Sequence, residues 1–305
     1  MNLRDLKYLV AVEELRHFGK AAEACFVSQP TLSGQLKKLE EELGVVLFER
    51  SARSVMPTPV GERIVARARQ LLAQAEEIEA LAQAQRDPLA GPLRVGAIHT
   101  ISPYLVPLFL GELRERLPQM RFILHEGVTQ HLVRELLDHR LDAALIATEE
   151  NAPELAALPL YDEPFWFAHA ASHPYARDSE IGLLHLKDSD LLLLEDGHCL
   201  TDQVLDLCRN GAGMQEHDRS DLRAENLETL IRLVGLSFGS TLVPALAVRE
   251  AWLTEAGVVA RPIPLPQARR RVVLAYRKSF PRPEALQALA GLIRERLPGS
   301  VELVE

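Results

Sequence analysis

Apolar positions in the first sixty residues recur at helical spacing in three short bursts. Leu3, Leu6, Leu9, Val10 and Val12 mark one amphipathic helix, which His17-Phe18-Gly19 interrupts. Positions 20–25 form a second short helix with Ala21 and Ala22 inside, and Phe26-Val27 is a turn. Ser28 is a helix N-cap, and Pro30 suits the first turn that follows it. Leu32, Leu36, Leu39 and Leu43 then carry a third helix as far as Gly44, a C-terminal stop. Small alanines where two helices approach, and a tight turn between them, read as a helix-turn-helix. Positions 50–59 are extended, basic and contain Pro57 and Pro59, the pattern of a wing. From Val60 a long helix shows three-four spacing through Ile64, Ala68, Leu71, Ala75, Ile78 and Leu81 or Ala82. Its alanine-rich stripe admits a partner helix at close range, so it is expected to dimerise rather than only to pack on its own domain.

The texture changes after Pro88 and Gly91-Pro92. Short apolar runs at 93–98, 122–126, 143–147, 165–169, 191–194, 241–243 and 271–276 alternate with helical stretches such as 105–116 and 130–138. This predicts an α/β domain with largely parallel strands. Ligands of such sheets collect at the carboxyl ends of strands. His99-Thr100 follows the first of these strands and Gly127-Val128-Thr129 the second, although residues there are more often plain loop residues and caps.

At 305 residues the chain has room for two or three domains, and 47% apolar with 25% charged residues is ordinary for a soluble protein. The net charge of −9 is uneven: residues 1–90 hold 12 Lys+Arg against 13 Asp+Glu, the remainder 22 against 30. Nucleic-acid binding therefore has to come from a local basic surface near the N-terminus. The first thirty residues carry charges throughout, so no signal peptide is expected, and no uncharged apolar run is long enough for a membrane span. A cytoplasmic protein is expected.

The chain holds three cysteines, and two of them, Cys199 and Cys208, flank a short helical pattern. Gly197 precedes it and Asn210-Gly211 follows it as start and stop signals, and Leu200, Val204 and Leu207 form its apolar face. Nine helical steps put the two cysteines on opposite sides and ~13 Å apart along the axis, whereas a disulfide needs Cα atoms within about 7 Å. If these thiols bond, the helix between them must come undone. Cys208, on the apolar face, reads simply as a small buried hydrophobe. Cys199 follows a glycine and a histidine at a helix N-terminus, where the macrodipole favours a thiolate, and His198 or a distant arginine could favour it further. Cys25, beside Phe26, reads as core. His198, Cys199 and Cys208 lack the spacing of a metal site, and neither metal nor cofactor is expected.

Several motifs together resemble the LysR-type transcriptional regulators: Phe18-Gly19-Lys20-Ala21-Ala22-Glu23, Ser28-Gln29-Pro30-Thr31-Leu32-Ser33, Leu39-Glu40, and Leu47-Phe48-Glu49-Arg50. The resemblance covers essentially the whole chain. It implies an α/β protein with a winged helix-turn-helix over 1–59, a linker and dimerisation helix over 60–88, and a regulatory domain over 89–305. That domain would have two lobes like a periplasmic binding protein, lobe I about 91–162 and 267–305, lobe II about 163–266. Gln29, Pro30, Thr31, Ser33, Gln35 and Lys37 would face DNA from the third helix, with Arg50 and Arg53 in the wing. Promoter DNA, RNA polymerase, and a homodimer assembling into a homotetramer are the implied partners.

Within the family, Glu195-Asp196-Gly197-His198-Cys199 with Cys208, and positions 96–104, are similar to the hydrogen peroxide-sensing members. That likeness implies that Cys199 reacts with peroxide and pairs with Cys208, remodelling the regulatory domain and activating antioxidant genes. Thr100, Thr129 and His198 would line the peroxide pocket, with His125 and Asp202 near it and Arg270 as the cation favouring the thiolate. Two rivals stay open: a regulator of the same fold that binds an organic metabolite, with incidental cysteines, and a thiol peroxidase carrying a DNA-binding domain. A solute-binding protein of the periplasm fits neither the N-terminal helices nor the expected lack of a signal peptide.

Overall fold

The computed structural model describes residues 1–50, 55–84, 87–148, 152–178, 180–182, 185–186, 190–212, 219–248 and 250–304. The chain forms two compact units, Met1–Arg86 with Asp138–Arg140, and a larger one comprising Asp87–Leu137 with Leu141–Glu305.

The first unit is built from α1 (Leu3–Leu15), α2 (Phe18–Ala24), α3 (Gln29–Leu43), β1 (Phe48–Arg50), β2 (Val55–Pro57) and α4 (Pro59–Ala84). Each of the first three helices starts on a side-chain cap that satisfies free backbone N–H groups. The Asn2 and Asp5 side chains each accept the other's backbone N–H in a capping box on α1. The His17 Nδ1 accepts from the Gly19 and Lys20 N–H groups on α2, and Ser28 accepts from the Thr31 N–H on α3. Gly44, at φ 69°, closes α3. Leu6, Leu9, Val12, Ala21, Ala22, Leu32, Leu36 and Leu39 bury against Leu47, Phe48, Val65 and Ala68. Cys25, capping the end of α2, is half-buried and packs against this core, while Phe26, in the left-handed region at φ 56°, stands 95% exposed. The wing begins earlier than expected, at Phe48, as an antiparallel pair joining Phe48 to Pro57. Gly61 permits α4 to start where it does, since a Cβ there would lie 2.1 Å from the Leu47 carbonyl oxygen. Further along α4, Leu71 and Ile78 are exposed.

The second unit opens with β3 (Gly91–Ile98), α5 (Ser102–Arg116), β4 (Met120–Gly127), α6 (Thr129–Leu137), β5 (Ala143–Ile146) and β6 (Leu155–Ala170). It continues with β7 (Leu191–Leu194), α7 (Cys199–Ala212), β8 (Arg219–Ala224), α8 (Leu227–Gly235), β9 (Thr241–Pro244), α9 (Glu250–Glu255), β10 (Val258–Pro262), β11 (Arg269–Arg277), α10 (Pro283–Glu295) and β12 (Glu302–Leu303). The main sheet runs β10-β6-β11-β5-β3-β4, with β9 and β12 also on β6. Only β3 with β4, β3 with β5, and β7 with β8 are parallel among the described strands. The expected largely parallel sheet is thus corrected: β6 and β11 return antiparallel through its middle. The 16-residue β6 starts ten residues before the apolar run that signalled it. Pro159 inside it sits at a register shift against Val272 and Val273, where a missing N–H is tolerated.

Two hydrophobic cores fill this unit. One packs β3, β5, β11, α5, α6 and α10 with Leu155, Leu160 and Tyr161 of β6. The other packs β7, α7, α8 and β9 with Phe165, Phe167 and Ala168 of the same strand. Helix α7 continues to Ala212, through the expected stop at Asn210-Gly211. A glycine inside a helix costs only ~1 kcal/mol relative to alanine. Among the described residues no helix is long and apolar enough to cross a membrane.

Candidate functional site

The carboxyl ends of the parallel neighbours β3 and β4 lie level, Ile98 opposite Gly127. Thr100, two residues beyond the first, and Thr129, opening α6 beyond the second, are both buried. Cys199 begins α7 at 8% exposure and belongs to the core of Ile98, Ile101 and Leu246. Cys208, at 2%, belongs to the other core with Leu200, Val204 and Leu207. Neither thiol is in a disulfide. One helix therefore carries its two cysteines into two different cores.

Arg270 is fixed by three groups. Its Nε donates to Glu163 at 2.8 Å, and its two other nitrogens donate to the Thr100 hydroxyl at 2.9 Å and the Thr100 carbonyl at 3.0 Å. Arg270 and Glu163 face each other across antiparallel β11 and β6, and the second Glu163 oxygen accepts the Leu246 N–H at 2.7 Å. This buried ion pair is thus hydrogen-bonded on both sides, as removal of two charges from water requires. Strand alternation turns Arg269 and Arg271 outward, onto Glu302 and Asp162.

The electrostatics of Cys199 differ from the sequence expectation of a readily formed thiolate. Burial pushes its thiol pKa up, and Asp202 adds to this. Arg270 and the Thr129 hydroxyl pull in the other direction without overcoming burial. The Thr129 Oγ1 is buried and, apart from its pull on the Cys199 thiol, has no hydrogen-bond partner among the described residues, so it can serve the sulfur or a small ligand beside it. His198 is held below the usual histidine range, first by burial and then by His99, whose ring centroid is 5.8 Å from its own. It is therefore neutral near pH 7 and is not the cation that favours the thiolate.

The first turns of α7 are tied down twice. The Thr201 hydroxyl donates to the Leu194 carbonyl at 3.0 Å, and Gln203 Nε2 donates to the Ala147 carbonyl at 2.6 Å. Cys199, Thr100, Thr129, His198 and Arg270 are gathered here. Asp202 is exposed on the first turn of α7 and acts on Cys199 only through its charge. His125 is not gathered in: it is exposed on edge strand β4, opposite Gly96, and among the described residues no hydrogen bond or ion pair joins it to the cluster. Sequence reasoning missed Glu163 and Gln203. A glutamate in a strand facing the middle arginine of Arg269-Arg270-Arg271 was a usable signal for the first; Gln203, an ordinary helix residue, left none. Among the described residues no group of three His, Cys, Asp or Glu side chains could hold a metal ion.

In the other unit, Leu32, Leu36 and Leu39 bury one side of α3 and leave Gln29, Pro30, Thr31 and Lys37 exposed, with Ser33 and Gln35 half-buried. Thr31 shares a 2.7 Å hydroxyl contact with the capping Ser28, and Lys37 lies 3.9 Å from Glu41. The Arg50 backbone ends β1, and Arg53 lies outside the described residues.

Two family descriptions match the chain. A bacterial regulatory helix-turn-helix protein of the lysR family matches residues 3–62, and a LysR substrate binding domain matches residues 86–298. The chain is 41% identical over 303 residues to a hydrogen peroxide-inducible genes activator of Pectobacterium carotovorum subsp. carotovorum, which covers 99% of each chain. It is similar to a full-length variant of OxyR from Pseudomonas aeruginosa, with 42% identity, TM-score 0.79, and coverage of 97% of this chain and 99% of that one. It is also similar to a cysteine-to-serine variant of Corynebacterium glutamicum OxyR with hydrogen peroxide bound, with 37% identity, TM-score 0.65, and coverage of 97% and 92%.

Proposed function

The chain belongs to the LysR family of bacterial helix-turn-helix regulators, and from that premise we propose that it is a cytoplasmic hydrogen peroxide sensor that controls transcription through Cys199 and Cys208. The observation that carries this reading is the placement of the two thiols at separate points of one helix, in two different cores. The full-length likeness to a peroxide-inducible genes activator, and to a regulator with peroxide bound, supports the same reading.

The chemistry is compact. The Cys199 sulfur attacks one peroxide oxygen and the O–O bond breaks. The sulfur becomes a sulfenic acid, and the departing hydroxide takes the thiol proton to leave as water. The Thr100 hydroxyl, whose oxygen already accepts from Arg270, keeps its own proton for the peroxide, and the buried Thr129 hydroxyl beside the sulfur supplies a second contact. Arg270 favours the negative sulfur while the proton is in transit. Neutral His198 orients the peroxide at the edge of the pocket. The sulfenic acid then condenses with Cys208, releasing a second water and forming the disulfide.

That last step requires α7 to melt, since ~13 Å of helix separates the Cα atoms and a disulfide tolerates about 7 Å. Exposing Leu200, Val204 and Leu207 costs ~1.5–3 kcal/mol each. A thiol couple supplies about 1.4 kcal/mol per 30 mV, so ~100–200 mV between it and its oxidant covers the change. The output is DNA binding: α3 enters the major groove with Gln29, Thr31, Ser33 and Gln35 near base edges, and Lys37, Arg50 and Arg53 take phosphates. A homodimer through α4 would read paired half-sites, and pairs of dimers would present promoter DNA to RNA polymerase.

Gel shifts of promoter DNA with reduced and peroxide-treated protein, beside intact-mass measurement, test this. Loss of two hydrogens between Cys199 and Cys208 with an altered shift is expected. An unchanged mass would leave a metabolite-binding regulator, and repeated turnover with a thiol reductant would leave a peroxidase.

A further inference from the structure

His99 and His198 come from different elements and meet. His99 lies in the turn between β3 and α5, one residue before the buried Thr100; His198 lies one residue before the buried Cys199. Their rings stand 5.8 Å apart between centroids, tilted by 49°. Each histidine is half-buried while the residue after it is buried, so the ring pair spans the boundary between solvent and the cluster. Nothing in the reaction described above employs His99.

We propose that His99 is a positioning residue that acts through His198: its ring, packed beside the His198 ring at the mouth of the cluster, sets the pH range in which His198 stays neutral beside Cys199. The proposal rests on the reading of Cys199 as the peroxide-reactive thiol. A like charge close by disfavours the charged form of His198. The surroundings supply little to offset this. Glu195, before His198 in the chain, favours its charged form but is exposed, and burial and His99 outweigh it. Arg270 and Asp202 act on the neighbouring Cys199 rather than on the ring.

The neutral ring matters chemically because it can accept a hydrogen bond from peroxide, whereas the imidazolium only donates. Reaction through neutral His198 must fail as pH falls through the value at which that ring protonates. Removing the charge of His99 removes one of the two causes that depress this value, so the failure must move to higher pH.

The test uses full-length protein and single-turnover oxidation of Cys199 by hydrogen peroxide across a pH series, in wild type and His99→Phe, which retains an aromatic ring without a proton. Titration of the His198 ring proton by NMR is read in the same proteins. The acid limb of the rate and the His198 titration should both move to higher pH in His99→Phe, with a rate change at neutral pH under ~10-fold, less than removal of a general acid brings. Superimposable limbs and an unmoved His198 titration overturn the proposal. If wild type does not react with peroxide, the sensor reading fails, and the NMR titration alone still decides whether the rings are coupled. Should His99→Phe melt early, His99→Gln, which is also uncharged, gives the same comparison.

Discussion

Cys199 and Cys208 share a helix but not a core: the first belongs to the core that holds Ile98, Ile101 and Leu246, the second to the core that holds Leu200, Val204 and Leu207. Substitution should therefore act differently at the two. Cys199→Ser is expected to abolish the peroxide response. Cys208→Ser should stop at the sulfenic acid, trapped by a sulfenate-specific reagent, and give a weak or distorted response in DNA binding. A full response in Cys199→Ser removes the sensor reading.

The Arg270–Glu163 pair predicts a stability pattern. Arg270→Met leaves a buried carboxylate unpaired, and Glu163→Gln leaves a buried guanidinium short of its counter-charge. Breaking such a pair costs ~3–5 kcal/mol. The double variant, with both charges gone, should be less destabilised than Arg270→Met alone, measured by urea unfolding. Arg270→Met should also slow the oxidation of Cys199, because it deletes the strongest influence pulling that thiol pKa down.

Acid should weaken the fold through histidines. His169, His173 and His198 are each held below the usual histidine pKa, mainly by burial. The unfolded chain then binds protons that the folded chain refuses. Their contribution is complete above the ordinary histidine value of about 6.5 and declines as pH falls below it, toward the depressed folded values. The urea midpoint should drop between pH ~7.5 and ~5.5; a rising midpoint would contradict the assignment.

DNA affinity should fall linearly on logarithmic axes with salt, by a slope of about −0.9 per phosphate contacted. Lys37→Ala should flatten that slope by about one and weaken all sequences alike. Gln29→Ala should instead alter the preferred sequence and leave the slope alone. Filter binding of one operator and its mutants at several salt concentrations separates the two.

Much of this architecture is legible in local sequence. Caps at Ser28 and Gly44 and the Leu32-Leu36-Leu39 stripe speak within one helix. The level of Thr100 and Thr129 was readable because both follow apolar runs at the carboxyl end. Long-range pairing was not. The early half of β6 hides behind Pro159 and Pro164, which argue against a strand, and only its bulge opposite β11 accommodates Pro159. The partner of Arg270 depends on antiparallel register across 107 residues of chain. Cys199 shows the same divide: its helix terminus is visible in sequence, but the burial that raises its pKa comes from the tertiary core it joins.

The long strand β6 threads both cores and is bonded to β11 along much of its length. The larger unit is consequently stitched by ribbon independent of α7, which is held between the cores by the Thr201 and Gln203 hydrogen bonds and by its apolar face. Dissolving that rung unbuttons a side panel while the seam holds. A chemical event at one sulfur can therefore be drastic locally and still reversible for the protein as a whole.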